Sequence, residues 1–154
     1  MSPLKQKEKG MTNIVKIVAK FVSPPIVLFG IYMVLHGHLT PGGGFPGGVI
    51  VASAFILLIL AFGREMASQK LKLSTASTLE SIGALIFLSL ALIGIAAGGW
   101  FFFNFLPKGE PLRILSAGFI PLANIGIGLK VSGGIFAVFV TLIMFRITTG
   151  KGGR

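Results

Sequence analysis

Few side chains in this sequence can hold a proton or a cation. The acids are Glu8, Glu65, Glu80 and Glu110, the histidines are His36 and His38, and one basic residue, Lys130, falls inside an apolar stretch. A lysine at membrane depth costs at least about 2.5 kcal/mol, so it faces protein or water, or snorkels outward along its own stem. If the fourth apolar segment starts near Leu122, Lys130 lies roughly 12 Å below the nearer boundary at 1.5 Å per residue. None of the four acids reads as well placed to pair with it. The favoured expectation is an acid or a water file supplied by another subunit, with snorkelling as the alternative. Glu80 has two readings. It fits the third position of a capping box, Ser77-Thr78-Leu79-Glu80, and it also fits a carboxylate that feeds a proton or sodium ion into a path at a helix mouth. Asn124 follows Pro121 and either caps the fourth helix or lines one polar pocket with Lys130.

The histidines belong to the run HGHLTPGGGFPGG, residues 36–48, which has no acid, lysine or arginine. Two residues apart, His36 and His38 cannot face the same way on a helix. They lack the further ligands that a metal site needs. Imidazole titrates near neutrality, so proton handling at the surface is chemically open to them. The simpler expectation is that both bond to loop carbonyls left unpaired by the glycines. The run is not a phosphate loop, because no Lys-Ser or Lys-Thr follows it and no strand precedes it. Pro41, Gly42, Gly43, Gly44, Phe45, Gly47 and Gly48 instead suggest a fixed backbone path that permits positive φ and close approach of a partner's backbone, as at a subunit interface or a cavity wall.

These residues must be positioned by membrane helices. Mean hydropathy is +0.91, 53% of residues are hydrophobic and 12% are charged. That is about half the charged share of a soluble domain. The apolar residues fall in blocks long enough to cross about 30 Å of hydrocarbon. The expected fold is an all-α integral membrane protein with four transmembrane helices: Lys16 to Leu35, Phe45 to Phe62, Leu79 to Phe103 and Leu122 to Phe145. Residues 14–146 form the membrane domain, between a basic arm (1–13) and a basic tail (147–154). Lys5, Lys7, Lys9, Lys16, Lys20, Arg64, Lys70, Lys72, Arg146, Lys151 and Arg154 flank one side, against Lys108 and Arg113 on the other. The positive-inside rule then puts both termini in the cytoplasm and the glycine-rich loop outside.

Net charge of +10 would suggest nucleic acid in a soluble domain; here the bases flank apolar spans, and no nucleic-acid partner is expected. The chain has no cysteine, which excludes thiol chemistry and iron–sulfur ligation within it. Residues 1–20 do not read as a cleavable signal. Ser23-Pro24-Pro25 deletes two backbone donors and bends the first helix, giving either a kinked anchor or an opening for an ion. Arg64 and Glu65 read as boundary charges. Gly94 and Gly98, and again Gly133 and Ala137, have the small-xxx-small spacing that admits a neighbouring helix. Trp100 and the three phenylalanines after it fit an aromatic belt. No nucleophile–base pair or cofactor site is visible, so the chain is not expected to be an enzyme. With so few helices a stand-alone transporter is also disfavoured.

HGHLTPGGGFPGG, together with Asn124-Ile-Gly-Ile-Gly-Leu-Lys130-Val and the glutamate at position 80, resembles the MnhB/MrpB subunit family of Mrp-type multisubunit cation/proton antiporters. The likeness spans roughly residues 14–146. Pro46 departs from the family pattern, where a polar residue is common. The resemblance implies a small four-helix subunit of the prokaryotic plasma membrane, in a complex that exchanges sodium for protons and without a cofactor of its own. It also implies other antiporter subunits as partners. Where the module has been recruited into a respiratory complex, hydrogenase-like redox subunits join them. The positions carried over are His36, His38, the glycine loop, Glu80, Asn124 and Lys130. Two functions stay open: a subunit that contributes to a sodium or proton path, and a structural subunit that joins and seals larger ones.

Overall fold

The computed structural model describes residues 11–63, 73–110, 112–113 and 116–151. The basic arm, the segment with Arg64, Glu65, Lys70 and Lys72, and Arg154 lie outside the described residues. Four helices follow in chain order: α1 (Asn13–Leu35), α2 (Gly44–Phe62), α3 (Leu73–Gly98) and α4 (Ile120–Lys151). Each is long and apolar enough to cross a membrane. The protein is an all-α membrane protein. An even number of crossings puts both ends of the four-helix unit on one side.

The helices do not close into a bundle. α1 packs on α2, α2 packs on α4, and α4 packs on α3, with a smaller α1–α4 contact. Across the molecule the order is therefore α1, α2, α4, α3, with α4 between two neighbours that barely meet each other.

Glycines set these contacts. A Cβ built on Gly47 of α2 would lie 2.8 Å from the Gly30 carbonyl of α1, and one on Gly48 would lie 2.8 Å from the Gly128 carbonyl of α4. Neither gap admits a side chain, so backbones meet directly on both faces of α2. Gly43, the residue before α2, has φ +126°, a conformation that L side chains rarely adopt. Pro46 fits in the first turn of α2, where backbone N–H groups have no helical partner to lose. Ser23, buried beside Pro24 and Pro25, donates from its hydroxyl to the Ala19 carbonyl (2.7 Å) and reaches the Ala54 carbonyl of α2 (3.4 Å). The helix runs unbroken through both prolines.

Two helix limits differ from the sequence expectation in ways that matter. α3 begins at Leu73, not Leu79. Its serines and threonines read as a cap, but they lie inside the helix; Thr78 Oγ1 donates back to the Ser74 carbonyl at 2.9 Å, a bond available within a helix. The capping box is therefore absent, and Glu80 sits two turns into the span. At the other end α3 stops at Gly98, because Gly99 takes φ +74° and bonds to the Ile95 carbonyl. The chain then folds back. Phe102 and Phe103 occupy the space over Gly94 and Gly98, so these glycines receive the returning chain and not a second helix. Phe102 also joins a cluster with Phe87, Phe105 and Phe119. Trp100 and Phe101 stay exposed, as a membrane-surface aromatic pair would be.

Candidate functional site

The residues singled out by sequence fall into two groups. The first lies at the loop end. His36 caps α1; its Nδ1 donates to the Tyr32 carbonyl at 3.1 Å and its ring stacks on Tyr32 with centroids 4.1 Å apart. His38 Nε2 donates to the Arg113 carbonyl at 3.3 Å. That bond ties the α1–α2 connection to the α3–α4 connection and shows that both lie at the same end. Both imidazoles thus bond to carbonyls, but to those of a helix end and of the distant loop, not of the glycine run. His38 Nδ1 is buried without a hydrogen-bond partner.

Asn124 belongs with this group and not with Lys130. Because α4 starts at Ile120, Asn124 lies inside the helix and does not cap it. Its amide sits against the glycine run: a Cβ on Gly37 would come 3.0 Å from Nδ2 and one on Gly43 would come 3.7 Å from Oδ1. Gly44 abuts the Asn124 carbonyl itself. Gly43, Gly44, Gly47 and Gly48 are all buried within the single chain. The close backbone approach expected of this run is made to the chain's own α1 and α4. Pro41, Gly42 and Phe45 are the members left exposed.

The second group is the pair Glu80 and Lys130. They are fifty positions apart in sequence, yet they line one cleft of about 450 Å³. The register is set by glycines on both helices. A Cβ on Gly83 of α3 would meet the Gly126 carbonyl and the Lys130 nitrogen of α4, each at 2.5 Å. One turn further, a Cβ on Gly133 of α4 would meet the Ala76 carbonyl at 2.6 Å and the Glu80 nitrogen at 3.0 Å. Glu80 therefore lies level with Gly133 and Gly134, and Lys130 with Gly83. The two are about one turn apart, on the order of 5 Å along the axis. The Glu80 carboxylate rests over Gly134, where a Cβ would lie 3.6 Å from Oε1. The register brings Glu80 within about one turn of Lys130, closer than a place at a helix mouth implies, but the two do not pair.

Glu80 is half-buried and Lys130 is exposed on the chain's surface. They share the cleft without closing an ion pair; among the described residues the carboxylate within salt-bridge reach of a cation is Glu110, 2.8 Å from Arg113 at the exposed loop. The rest of the cleft is apolar: Phe45 and Ile56 from α2, and Val131, Ile135, Val138, Phe139 and Leu142 with Gly134 from α4. Phe45 thus links the glycine-rich run to the cleft, which sequence reasoning did not foresee. Such an arrangement places one carboxylate and one ammonium group in the same largely apolar cleft. Lys16 and Lys20 hold their ammonium groups 6.0 and 5.7 Å from the Phe62 ring centre at the opposite end of α2.

Among the described residues, then, four membrane-length helices meet along glycine-to-backbone seams beside a cleft that holds Glu80 and Lys130. Residues 14–137 match the family model described as a domain related to the MnhB subunit of a Na+/H+ antiporter, and the chain belongs to that family. It is 36% identical over 135 residues to a Staphylococcus aureus protein whose name assigns it to an antiporter subunit, mnhB2, covering 84% of this chain and 92% of that one. It is 42% identical over 130 residues to an uncharacterised protein of Methanocaldococcus jannaschii, covering 80% of this chain and 49% of that protein. The chain thus spans about half the length of that relative. Among solved structures it is similar to a chain of the membrane-bound sulfane sulfur reductase, an archaeal respiratory membrane complex, with TM-score 0.72 and 33% identity. That match covers 90% of this chain and 63% of the other.

Proposed function

We propose that this chain is a small, non-catalytic membrane subunit of a multisubunit Na+/H+ antiporter module, within an antiporter-derived respiratory complex, and that it contributes to the sodium or proton path. The observation that carries this reading is the shared cleft of Glu80 and Lys130. Glu80, two turns inside an apolar helix, is the carboxylate of that cleft, and ionisable side chains at membrane depth mark proton and cation paths. Lys130, one turn away, adds a cationic side chain to the same cleft. The chain's own residues thus supply an acceptor and a neighbouring charge. The partners in this reading are the other antiporter subunits and the hydrogenase-like redox subunits of the host complex. Both termini are cytoplasmic and the His36–Gly48 run faces outward, on the eleven-to-two distribution of flanking bases; the membrane is the prokaryotic plasma membrane.

The test is a pair of substitutions at Lys130, Lys130→Ala and Lys130→Arg, in the assembled complex. If Lys130 tunes the path, sodium-coupled transport per assembled complex falls roughly tenfold or more in Lys130→Ala, the scale of an intramembrane charge removed. Lys130→Arg falls as well, because its permanent, planar charge does not reproduce an ammonium. Normal transport in both would favour the second reading, a subunit that joins and seals its neighbours. That reading draws on the mainly apolar lining of the cleft.

A further inference from the structure

The lateral order α1, α2, α4, α3 leaves one face of α4 uncovered between α2 and α3. Along it runs the cleft, from Lys130 to Leu142, with Phe45 and Ile56 on one wall and Glu80 on the other. Twelve residues of helix span about 18 Å, or roughly three turns, and neighbouring helix axes lie about 8–10 Å apart. The space matches one further helix crossing over α4. Val138 and Leu142, at its floor, are 61% and 62% exposed in the single chain.

We propose that this groove seats one transmembrane helix of a different subunit, and that this helix places an Asp or Glu carboxylate over Lys130. The proposal rests on the reading of the chain as one subunit of a larger complex. Charge decides the occupant. Acyl chains would fill the apolar part but leave Lys130 and Glu80 facing hydrocarbon with nothing to bond to. A second copy related by an axis along the membrane normal would set Lys130 toward Lys130, like charge against like. A foreign helix with an acid meets both demands: its apolar face covers Val138 and Leu142, and its carboxylate neutralises Lys130. Glu80 already rests over Gly134, one turn nearer the far end. The incoming acid therefore belongs one turn closer to the His36–Gly48 end, and the three groups form a row of alternating charge.

The test uses the intact complex with a photoreactive amino acid at Val138, and at Phe21 of α1, 81% exposed, as the comparison site. Irradiation should join Val138 to a different membrane subunit, through a peptide with an Asp or Glu inside an apolar span. Lys130→Glu should then lower recovery of that subunit about tenfold, as expected for like charges forced together without water. Exchange of the partner acid for lysine should restore it. Crosslinks from Val138 to lipid, to a second copy of this chain or to a span without an acid would overturn the proposal. So would Lys130→Glu complexes recovered at the wild-type level. Transport separates this from the ion-path reading. The expected crosslink and rescue, with normal transport in Lys130→Ala, would sink the ion-path reading alone. No crosslink, with transport lost in Lys130→Ala, would sink the partner helix alone.

Discussion

The two seams of α4 use glycine for opposite ends. Against α2, Gly44 and Gly48 bring backbone onto backbone. Against α3, Gly83 and Gly133 do the same, but the adjoining cleft holds Glu80 and Lys130 with no ion pair between them. One seam is consumed by packing; beside the other, charge is left for use. In the reading proposed above, the charged pair sits where close packing stops, beside the seam and not within it.

The sharpest way to break this contrast is on the closed seam. Gly48→Leu has no space, since even a Cβ would lie 2.9 Å from that of Val131. Overpacking of this kind typically costs about 1–3 kcal/mol and sometimes more. The expected outcome is loss of the subunit from the purified complex, measured by its recovery on affinity purification. Wild-type recovery would mean that α2 and α4 are not held as described.

Adjacent glycines sharpen the contrast on the open seam. Gly133→Ala would drive a methyl into the Ala76 carbonyl at 2.6 Å, whereas a methyl on Gly134 meets Glu80 at 3.6 Å, ordinary contact. Gly133→Ala should lower the thermal stability of the complex by several degrees, and Gly134→Ala should leave it unchanged. Equal effects from the two would contradict the register of α3 on α4. A smaller effect is expected at Ser23, whose buried hydroxyl bonds two carbonyls. Ser23→Ala should cost about 1 kcal/mol, the net worth of a typical hydrogen bond. The readout is a modest fall in melting temperature with transport intact.

The four spans were legible because their apolar blocks match the bilayer and few charges interrupt them. The family was legible from two motifs. The cleft was not, for a physical reason that begins at one helix end. Ser77-Thr78-Leu79-Glu80 looks like a capping box, which sets Glu80 at a helix mouth. Hydroxyls that bond back into their own helix carry the same letters, and the six-residue error in the start of α3 hid an acid two turns deep. Pairing Glu80 with Lys130 further requires the antiparallel register, and Gly83 is the residue that fixes it. The spacing Glu80-x-x-Gly83 against Gly126 and Lys130 was the available signal, visible only once the two helices are known to touch. In the glycine run the density of glycine pointed to positive φ and close backbone approach, and Gly43 has the first. The second is made within the chain to α1 and α4, which no spacing in the run could show.

The central claim is that Glu80 and Lys130 act as one unit in ion movement. A double-mutant cycle on sodium-coupled proton transport, with Glu80→Gln, Lys130→Met and the double variant in fully assembled complexes, tests it directly. The account predicts that each single variant loses most of the transport and that the double variant is no worse than the poorer single, since groups that work together are non-additive. Independent losses that multiply in the double variant, or transport unchanged in both singles, would contradict it.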